Sequence, residues 1–508
     1  MKKRLLIAQV EPPQKLEGGD YFYRAHAPGI AMAQEKEVYV INLTNAHRKK
    51  FEIMAKADIL ILNSVCDPDL LPVIAKRKSE GMLTVYEIGD DFDALESWNP
   101  VYFFYKNKEN LALVYRLANY CDAIQVTCQE LKKCYGHLNI NCEVFPNQIL
   151  HVPSERPQKE TPNLVLGWAG SHGHIEDIAE IAGCLINWVM TQPNVSLSLM
   201  CSEPIWNLFD SLPQEKKKHI KPGAIDNYYD FLSEVDIGIG PMKNTPYNRS
   251  RSDVKFLEYA VSGVVPVMQR LEPYIGSVDH GKTGFLYASP DELIEILNSL
   301  VNNPALLNEI ATAARKYVLQ KRLQLKHGKD RTAFYRKELS GLKRDHARIG
   351  QSTESFEEWS KLEGAVRNNR HLELKPTRFE NLLHDGLVAS QLGKDRELAK
   401  QFFEEASAID PNNYLSFLYG YSVLSDPVMS LREALERNPD SLKAWILLGE
   451  ELAKRGKIKE AFGCFNSAAM VCPQYEIPLL RAAFLLEKLG EKSQAENLYD
   501  KAAKLTIN

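Results

Sequence analysis

Short apolar runs recur through the first part of the chain, separated by segments of helical length that mix polar and apolar residues. The runs are Arg4–Val10, Val38–Leu43, Ile59–Leu62, Thr84–Ile88, Ala123–Thr127 and Cys142–Phe145. Runs of this length, rich in β-branched residues, predict strands. Ala25–Gln34, Asp69–Glu80 and Glu109–Tyr120 predict helices between them. Strands alternating with helices imply a parallel sheet covered on both faces. This unit closes near Pro146-Asn147, and the proline-rich, polar stretch His151–Asn163 reads as a linker. A second alternation follows, with strands at Leu164–Trp168, Val195–Cys201, Val235–Gly240 and Val264–Met268. A Gly170-Ser171-His172-Gly173 turn leads into a helix at Ile175–Thr191, and Asp253–Ser262 predicts another. Two doubly wound α/β units in series imply two Rossmann-like lobes with a cleft between them. Ligands in such sheets sit beyond the carboxyl ends of the strands. Residues 291–341 predict closing helices.

The tail repeats with a period of 34. Gly456 and Gly490, Ala461 and Ala495, and Pro439 and Pro473 are each that far apart. One unit runs Trp445, Leu448-Gly449, Gly456, Ala461, Phe465, Ala468, Pro473, and Gly393, Ala399, Phe402, Ala406 and Pro411 echo it. Residues 414–439 form a shortened copy. The pattern resembles the tetratricopeptide repeat, whose small residues let paired helices approach and whose proline ends the second helix. Such repeats bind a peptide or partner, or serve packing and self-association. The expected domains are a first lobe at 1–152, a second at 160–342 with its closing helices, a linker at 343–378 and all-α repeats at 379–508.

Charge changes this picture little. With 62 Lys and Arg against 66 Asp and Glu, the formal charge is −4, which gives no reason to expect nucleic acid as a partner. No apolar run reaches the ~18 residues of a membrane span. Glu11, Pro12 and Pro13 interrupt the basic-then-apolar start, so a buried first strand explains it better than a signal peptide. Nine scattered cysteines without a Cys-x-x-Cys pair read as buried free thiols in a reducing compartment, hence a cytoplasmic protein. One local exception is Lys321–Arg348, with ten cations against three acids. It reads as a solvated helical face or as a patch for an anionic membrane or glycan, which would place the protein at the inner face of a membrane.

The candidate chemistry lies at two turns. Gly167-Trp168-Ala169-Gly170-Ser171 follows a strand and opens a helix, where backbone N–H groups can hold a phosphate or simply let strand and helix pack. Residues 241–266 form a polar, cationic loop, then a helix, a glycine and a buried strand. Ser252 or Asp253 can cap that helix, and both, with Ser250, are candidates for binding the donor. Arg249, Arg251 and Lys255 offer cations to a phosphate. Lys255 and Glu258 are three apart on one helical face, so the carboxylate can take a pair of sugar hydroxyls or pair with Lys255 in solvent.

These segments resemble the retaining, glycogen-synthase-like GT-B glycosyltransferases. The resemblance covers about residues 1–342 and is most specific at Leu166–Ile178, Tyr229–Pro241 and Ser252–Pro266. Tyr120–Thr127, Val144–Asn147 and Asp279–Leu286 are also typical of it. It implies a nucleotide-sugar held mainly by the second lobe. The second glutamate of the family's Glu-x7-Glu motif, which binds the ribose, carries over onto Glu258, while the first position falls on Ser250. Gly170 and Ser171 match the turn near the diphosphate, and Gly18 and Gly19 match the glycine loop that faces it from the first lobe. Arg251 and Lys255 are assigned to the diphosphate. Asp90 and Asp91, after a first-lobe strand, are candidates near the sugar or acceptor, or helix-capping residues. Arg24 and His26 are candidates for the acceptor, with a structural histidine as the alternative.

The resemblance further implies hexosyl transfer with retention, no metal and no cofactor. The acceptor would be a glycan such as a growing polysaccharide, a lipid-linked glycan or a protein. Catalysis would rest on stabilising the departing phosphates and excluding water. A scaffold with inactive transferase lobes, working through its repeats, is the alternative, and an epimerase on the same fold is a third reading without motif support.

Overall fold

The computed structural model describes residues 4–506 except 15, 157–162, 224, 343–352, 392–394 and 425. The first lobe is built on a sheet whose strands are β1 (Leu5–Glu11), β2 (Val38–Thr44), β3 (Ile59–Asn63), β4 (Leu83–Ile88), β5 (Ala123–Val126) and β6 (Cys142–Val144). All pair in parallel, with β1 between β2 and β3. Every residue of β1 is buried, because helices cover both faces. Each fully buried aliphatic side chain there contributes ~1.5–3 kcal/mol.

The second lobe carries β7 (Leu164–Ala169), β8 (Val195–Met200), β9 (Lys217–Ile220), β10 (Ile237–Gly240), β11 (Val265–Gln269) and β12 (Phe285–Tyr287), in the spatial order β12-β11-β10-β7-β8-β9. The helix predicted at Ile175–Thr191 spans those residues. The helix after the cationic loop is Val254–Val261.

Two boundaries differ from expectation. Helix Pro304–Lys321 packs on the second lobe, but the next helix, Gln324–Gly341, returns to the first. Its Tyr335 and Leu339 join the core of Leu5, Ile7 and Val38. Gly328 lies against the Ala31 carbonyl, where no side chain has room. The expected linker at 343–378 is also structured in its described part. Helix Thr353–Trp359 is followed by β13 (Ala365–Asn368) and β14 (His371–Leu374), which extend the first-lobe sheet. β14 runs parallel to β2 and is wholly buried. Its His-Leu-Glu-Leu sequence looks solvent-facing only until its polar partners are counted. His26 and Tyr21 both bond the Glu373 carboxylate.

The tail forms four helical pairs: Arg378–Gln391 with Arg396–Ile409, Tyr414–Gly420 with Pro427–Arg437, Leu442–Lys454 with Ile458–Val471, and Glu476–Lys488 with Lys492–Thr506. The short second pair is the shortened copy seen in the sequence, and Gly393 of the first copy lies outside the described residues. Small residues set the approach: a Cβ on Gly449 would come within 2.6 Å of Phe465 Cε1, and one on Gly386 within 2.8 Å of Phe403 Cζ. These helices are not tethered at a distance. Leu442, Ala468, Cys472 and Tyr475 belong to the first lobe's core cluster. The backbone N–H of Lys443 and the Ser441 hydroxyl donate to Asp69 at 2.8 and 2.9 Å. Arg116 pairs with Glu476, and Arg481 with Glu109.

The basic stretch is divided. Lys343, Arg344 and Arg348 lie outside the described residues. Of the rest, Arg322 is held by Asp253, and Arg331 is buried over the Phe145 ring at 4.8 Å. This stretch therefore turns two of its cations inward and does not present one continuous basic face. Among the described residues, no helix is long and apolar enough to cross a membrane.

Candidate active site

A cleft of about 480 Å³ opens between the lobes at the carboxyl ends of the strands. The first lobe lines it with Glu11, Gly19, Asp20, Tyr23, Arg24 and Asp90, and the second with Arg251, Ser252, Val254 and Glu258. Backbone geometry explains the convergence. Glu11 ends β1, residues 89–90 follow β4, and the loop before helix Val254–Val261 follows β10. Residues 19–32 form one continuous helical segment with a π turn at Phe22–His26.

Glu258 sits on the buried face of its helix and accepts a hydrogen bond from Tyr23 Oη of the opposite lobe at 2.6 Å. Burial raises its pKa, opposed by the Lys255 charge and the Tyr23 bond. Lys255 donates to the Ala169 carbonyl at 2.5 Å, beside the Gly170-Ser171 turn, and burial lowers its pKa. Arg251 donates to Tyr247 Oη at 2.8 Å. Tyr247 in turn donates to Asp90 Oδ1 at 3.3 Å, linking the lobes.

The remaining candidates divide clearly. Gly18 and Gly19 face open space, with nothing within 4 Å of an added Cβ. Ser252 Oγ accepts from Asn147 Nδ2 at 3.0 Å, a third tie between lobes. Arg24 lines the cleft but is engaged with Glu87, with the Phe145 carbonyl at 2.9 Å and with Asn147 at 2.7 Å. It thus holds the cleft wall in place. His26 points away from the cleft, bonded to Glu373 and stacked on Phe22 at 5.4 Å, as the structural alternative had it. Asp91 turns into its own loop, accepting from Tyr135 Oη at 3.0 Å and from the N–H of Asp93 and Ala94. Asp253 makes no cap bond. Arg322 binds it through two nitrogens at 2.6 and 3.1 Å and Ser277 Oγ at 2.5 Å, so its carboxylate is saturated. Ser250 closes its turn onto the Tyr247 carbonyl at 2.7 Å. Arg249 is taken by Asn244.

Gly170 and Ser171 lie at the start of the second lobe's first helix, but that helix's positive end is occupied. Asp177 accepts from Lys243 N–H at 2.9 Å, Asn248 Nδ2 at 2.7 Å and His174 at 2.8 Å. Burial, with the charge of Arg251 next, pushes His174 down to about 4 and keeps it neutral.

Glu11, Asp20 and Tyr23 are among the lining residues that escaped the sequence reading. Glu11 is buried among acids. Burial pushes it up to about 8 against the bond from Asn63, and Glu87 and Asp20 reinforce the rise. Asp20 is open to solvent in the cleft yet enclosed by protein on its sides. Enclosure and the Asp90 charge raise it to about 6, opposed by Arg251 and Arg24. Asp20 directly follows the Gly18-Gly19 pair, and that adjacency was the available signal. Tyr23 carried no signal, because its partner lies 235 residues away.

Among curated proteins, none matches this chain in sequence. Among solved structures, Anabaena HepE, determined with UDP-glucose, is similar over 67% of this chain and 100% of its own, at 14% identity and a TM-score of 0.49. Sucrose-phosphate synthase from Thermosynechococcus elongatus is similar over 66% and 100%, at 11% identity and 0.48. TarM is similar over 55% of this chain, which spans 54% of it, at 12% identity and 0.43. Residues 185–328, most of the second lobe, match the family described as Glycosyl transferase-like. Two parallel-sheet lobes thus face across a cleft, the second lobe carries this segment similar to the Glycosyl transferase-like family, and an all-helical region follows.

Proposed function

We propose that the protein transfers a hexosyl group from a nucleotide-sugar to a hydroxyl acceptor, with retention and without a metal. The observation that carries this reading is the pairing of a buried carboxylate, Glu258, with the cation Arg251 on the same cleft wall. A buried carboxylate accepts two vicinal ribose hydroxyls well, since hydrogen bonds to a charged group contribute ~1.5–3 kcal/mol. Arg251 and Lys255 then meet the diphosphate. The first lobe faces them with Asp20 and Asp90, which suit sugar hydroxyls and disfavour a phosphate.

In the reaction, the acceptor oxygen bonds to the anomeric carbon as its bond to the diphosphate breaks. The electron pair leaves with the diphosphate, and the hydroxyl proton passes to a departing phosphate oxygen on the same face. Arg251 and Lys255 stabilise the charge that develops. Ties such as Tyr23–Glu258 and Asn147–Ser252 keep the lobes together and water out.

The test is a thermal-shift and calorimetric screen of UDP, GDP, ADP, CMP and dTDP and their sugars on the whole chain and on Glu258→Gln. One nucleotide series should stabilise the wild type, by ~2.7 kcal/mol at about 100 times its Kd, and bind at least tenfold more weakly to the variant. If the folded wild type binds none, the donor site is refuted and the scaffold reading replaces it.

A further inference from the structure

We infer that Glu373 of β14 is a positioning residue for the donor site, acting through Tyr21 and His26 on Tyr23 and so on Glu258. The inference rests on the transferase reading above and adds to it a residue that does not itself line the cleft. Strand β14 comes after the closing helices in the chain and enters the first-lobe sheet beside β2, with His371, Leu372 and Glu373 opposite Val40, Ile41 and Asn42. Side chains along a strand alternate between its two faces. Leu372 therefore joins the core of Leu6 and Ile41, while His371 and Glu373 meet the helical segment 19–32 on the other face. Gly29 gives that contact its room, since a Cβ there would lie 2.8 Å from His371 Nε2.

The bonding of Glu373 fixes the register of this segment. One carboxylate oxygen, Oε1, accepts from Tyr21 Oη and bonds His26 Nδ1. These two residues are five apart, and in an α-helix they would point ~140° away from each other. The π turn at Phe22–His26, closed by the Ala27 N–H on the Phe22 carbonyl, brings them onto one face. Tyr23 and Arg24, midway between them, line the cleft, and Tyr23 Oη reaches Glu258 of the second lobe at 2.6 Å. The register that lets Tyr21 and His26 share one carboxylate is thus the register that aims Tyr23 at Glu258. Two neutral ties assist. Asn42 Nδ2 donates to Tyr21 Oη at 3.3 Å, and Gln9 Nε2 donates to the Ala25 carbonyl at 2.8 Å. Glu373 adds the charge. Burial works to raise its pKa, but the bonds from His26 and Tyr21 bring it down to about 2, so it is ionised through the neutral range. An ionised acceptor makes the stronger hydrogen bond.

The experiment uses the full chain and calorimetry with UDP, GDP, ADP, CMP and dTDP, with melting temperatures taken alongside. The nucleotide that wild type binds most tightly is the probe for the variants. Glu373→Ala should bind it at least tenfold more weakly. Glu373→Gln, whose amide oxygen still accepts from both partners, should stay within threefold of wild type. Leu372→Ala strips the opposite face of the same strand, so it should lower the melting temperature and leave affinity unchanged. In a Tyr23→Phe background, which lacks the bond to Glu258, Glu373→Ala should cost no further affinity. Tyr21→Phe keeps the ring and removes one of the two bonds. It should also weaken the nucleotide, and it decides the matter if Glu373→Ala does not fold. Unchanged affinity in Glu373→Ala or, where that protein is unfolded, in Tyr21→Phe overturns the inference, and so does an equal loss in Leu372→Ala or an undiminished loss in the Tyr23→Phe background. In each of those cases the wild type's binding still upholds the transferase reading. No nucleotide binding by the folded wild type overturns that reading, and the positioning role with it.

Discussion

Glu11 offers the sharpest physical test of the cleft. It ends β1, is 4% exposed, and accepts hydrogen bonds from Asn63 and from Gln14 at 2.9 Å. Burial moves its pKa from the ordinary 4.5 to about 8. The folded protein therefore holds this proton more tightly than the unfolded chain. Stability is full below 4.5, falls as pH rises towards 8, and is level above it. The difference, 8 − 4.5 = 3.5, corresponds to ~5 kcal/mol at ~1.36 kcal/mol for each pH unit. Glu11→Gln keeps the shape and removes the titration. Melting temperatures of both proteins, measured from pH 5 to 9.5, should diverge in favour of the variant. At ~2 °C per kcal/mol for a domain of this size, the gap should reach ~10 °C at the alkaline end. The same titration adds a negative charge to the cleft wall facing the proposed phosphate site, so wild-type nucleotide affinity should also fall above pH 8 while the variant's holds. A gap that stays constant across the range would refute the idea that Glu11 is neutral in the folded cleft at pH 7.

Other expectations follow from single contacts. Arg322→Met leaves the Asp253 carboxylate with only Ser277 and should cost ~3–5 kcal/mol; adding Asp253→Asn should recover part of it, and a single-variant loss under ~1 kcal/mol in urea unfolding would disprove the tie. Gly449→Ala puts a Cβ 2.6 Å from Phe465 Cε1 and should destabilise by ~1–3 kcal/mol, relieved by Phe465→Leu in the double variant. Arg251→Ala should weaken a nucleoside diphosphate at least tenfold by calorimetry and leave the bare nucleoside unchanged. Addition of EDTA should not alter wild-type affinity, and a chelator-sensitive affinity would contradict charge stabilisation by side chains alone.

The sequence announced the fold wherever burial was two-sided. β1 to β5 read as apolar runs because helices cover both of their faces, and Ile175–Thr191 read correctly because its apolar residues recur at helical spacing. β9, Lys-Lys-His-Ile, lies at the sheet edge, where one-sided exposure erases the run. β14 hid for a different reason: its His371 and Glu373 are inside, made affordable by Tyr21 and His26 some 350 residues earlier. The site divides along the same line. Arg251, Lys255 and Glu258 were legible because one loop and one helix carry them together. Asp91, Asp253 and His26 were assigned to ligands since their types and positions allowed it, but each found a protein partner that no local pattern reveals. Glu11 and Tyr23 were missed for the converse reason, because their roles arise only when two lobes meet. That meeting also separates the charges. The first lobe offers Glu11, Asp20 and Asp90 to the cleft, its Arg24 being held by Glu87, while the second offers Arg251 and Glu258, with Lys255 on the Ala169 carbonyl. A donor with an anionic diphosphate and a hydroxyl-rich sugar fits this division in one orientation, phosphates on the second lobe and sugar towards the first.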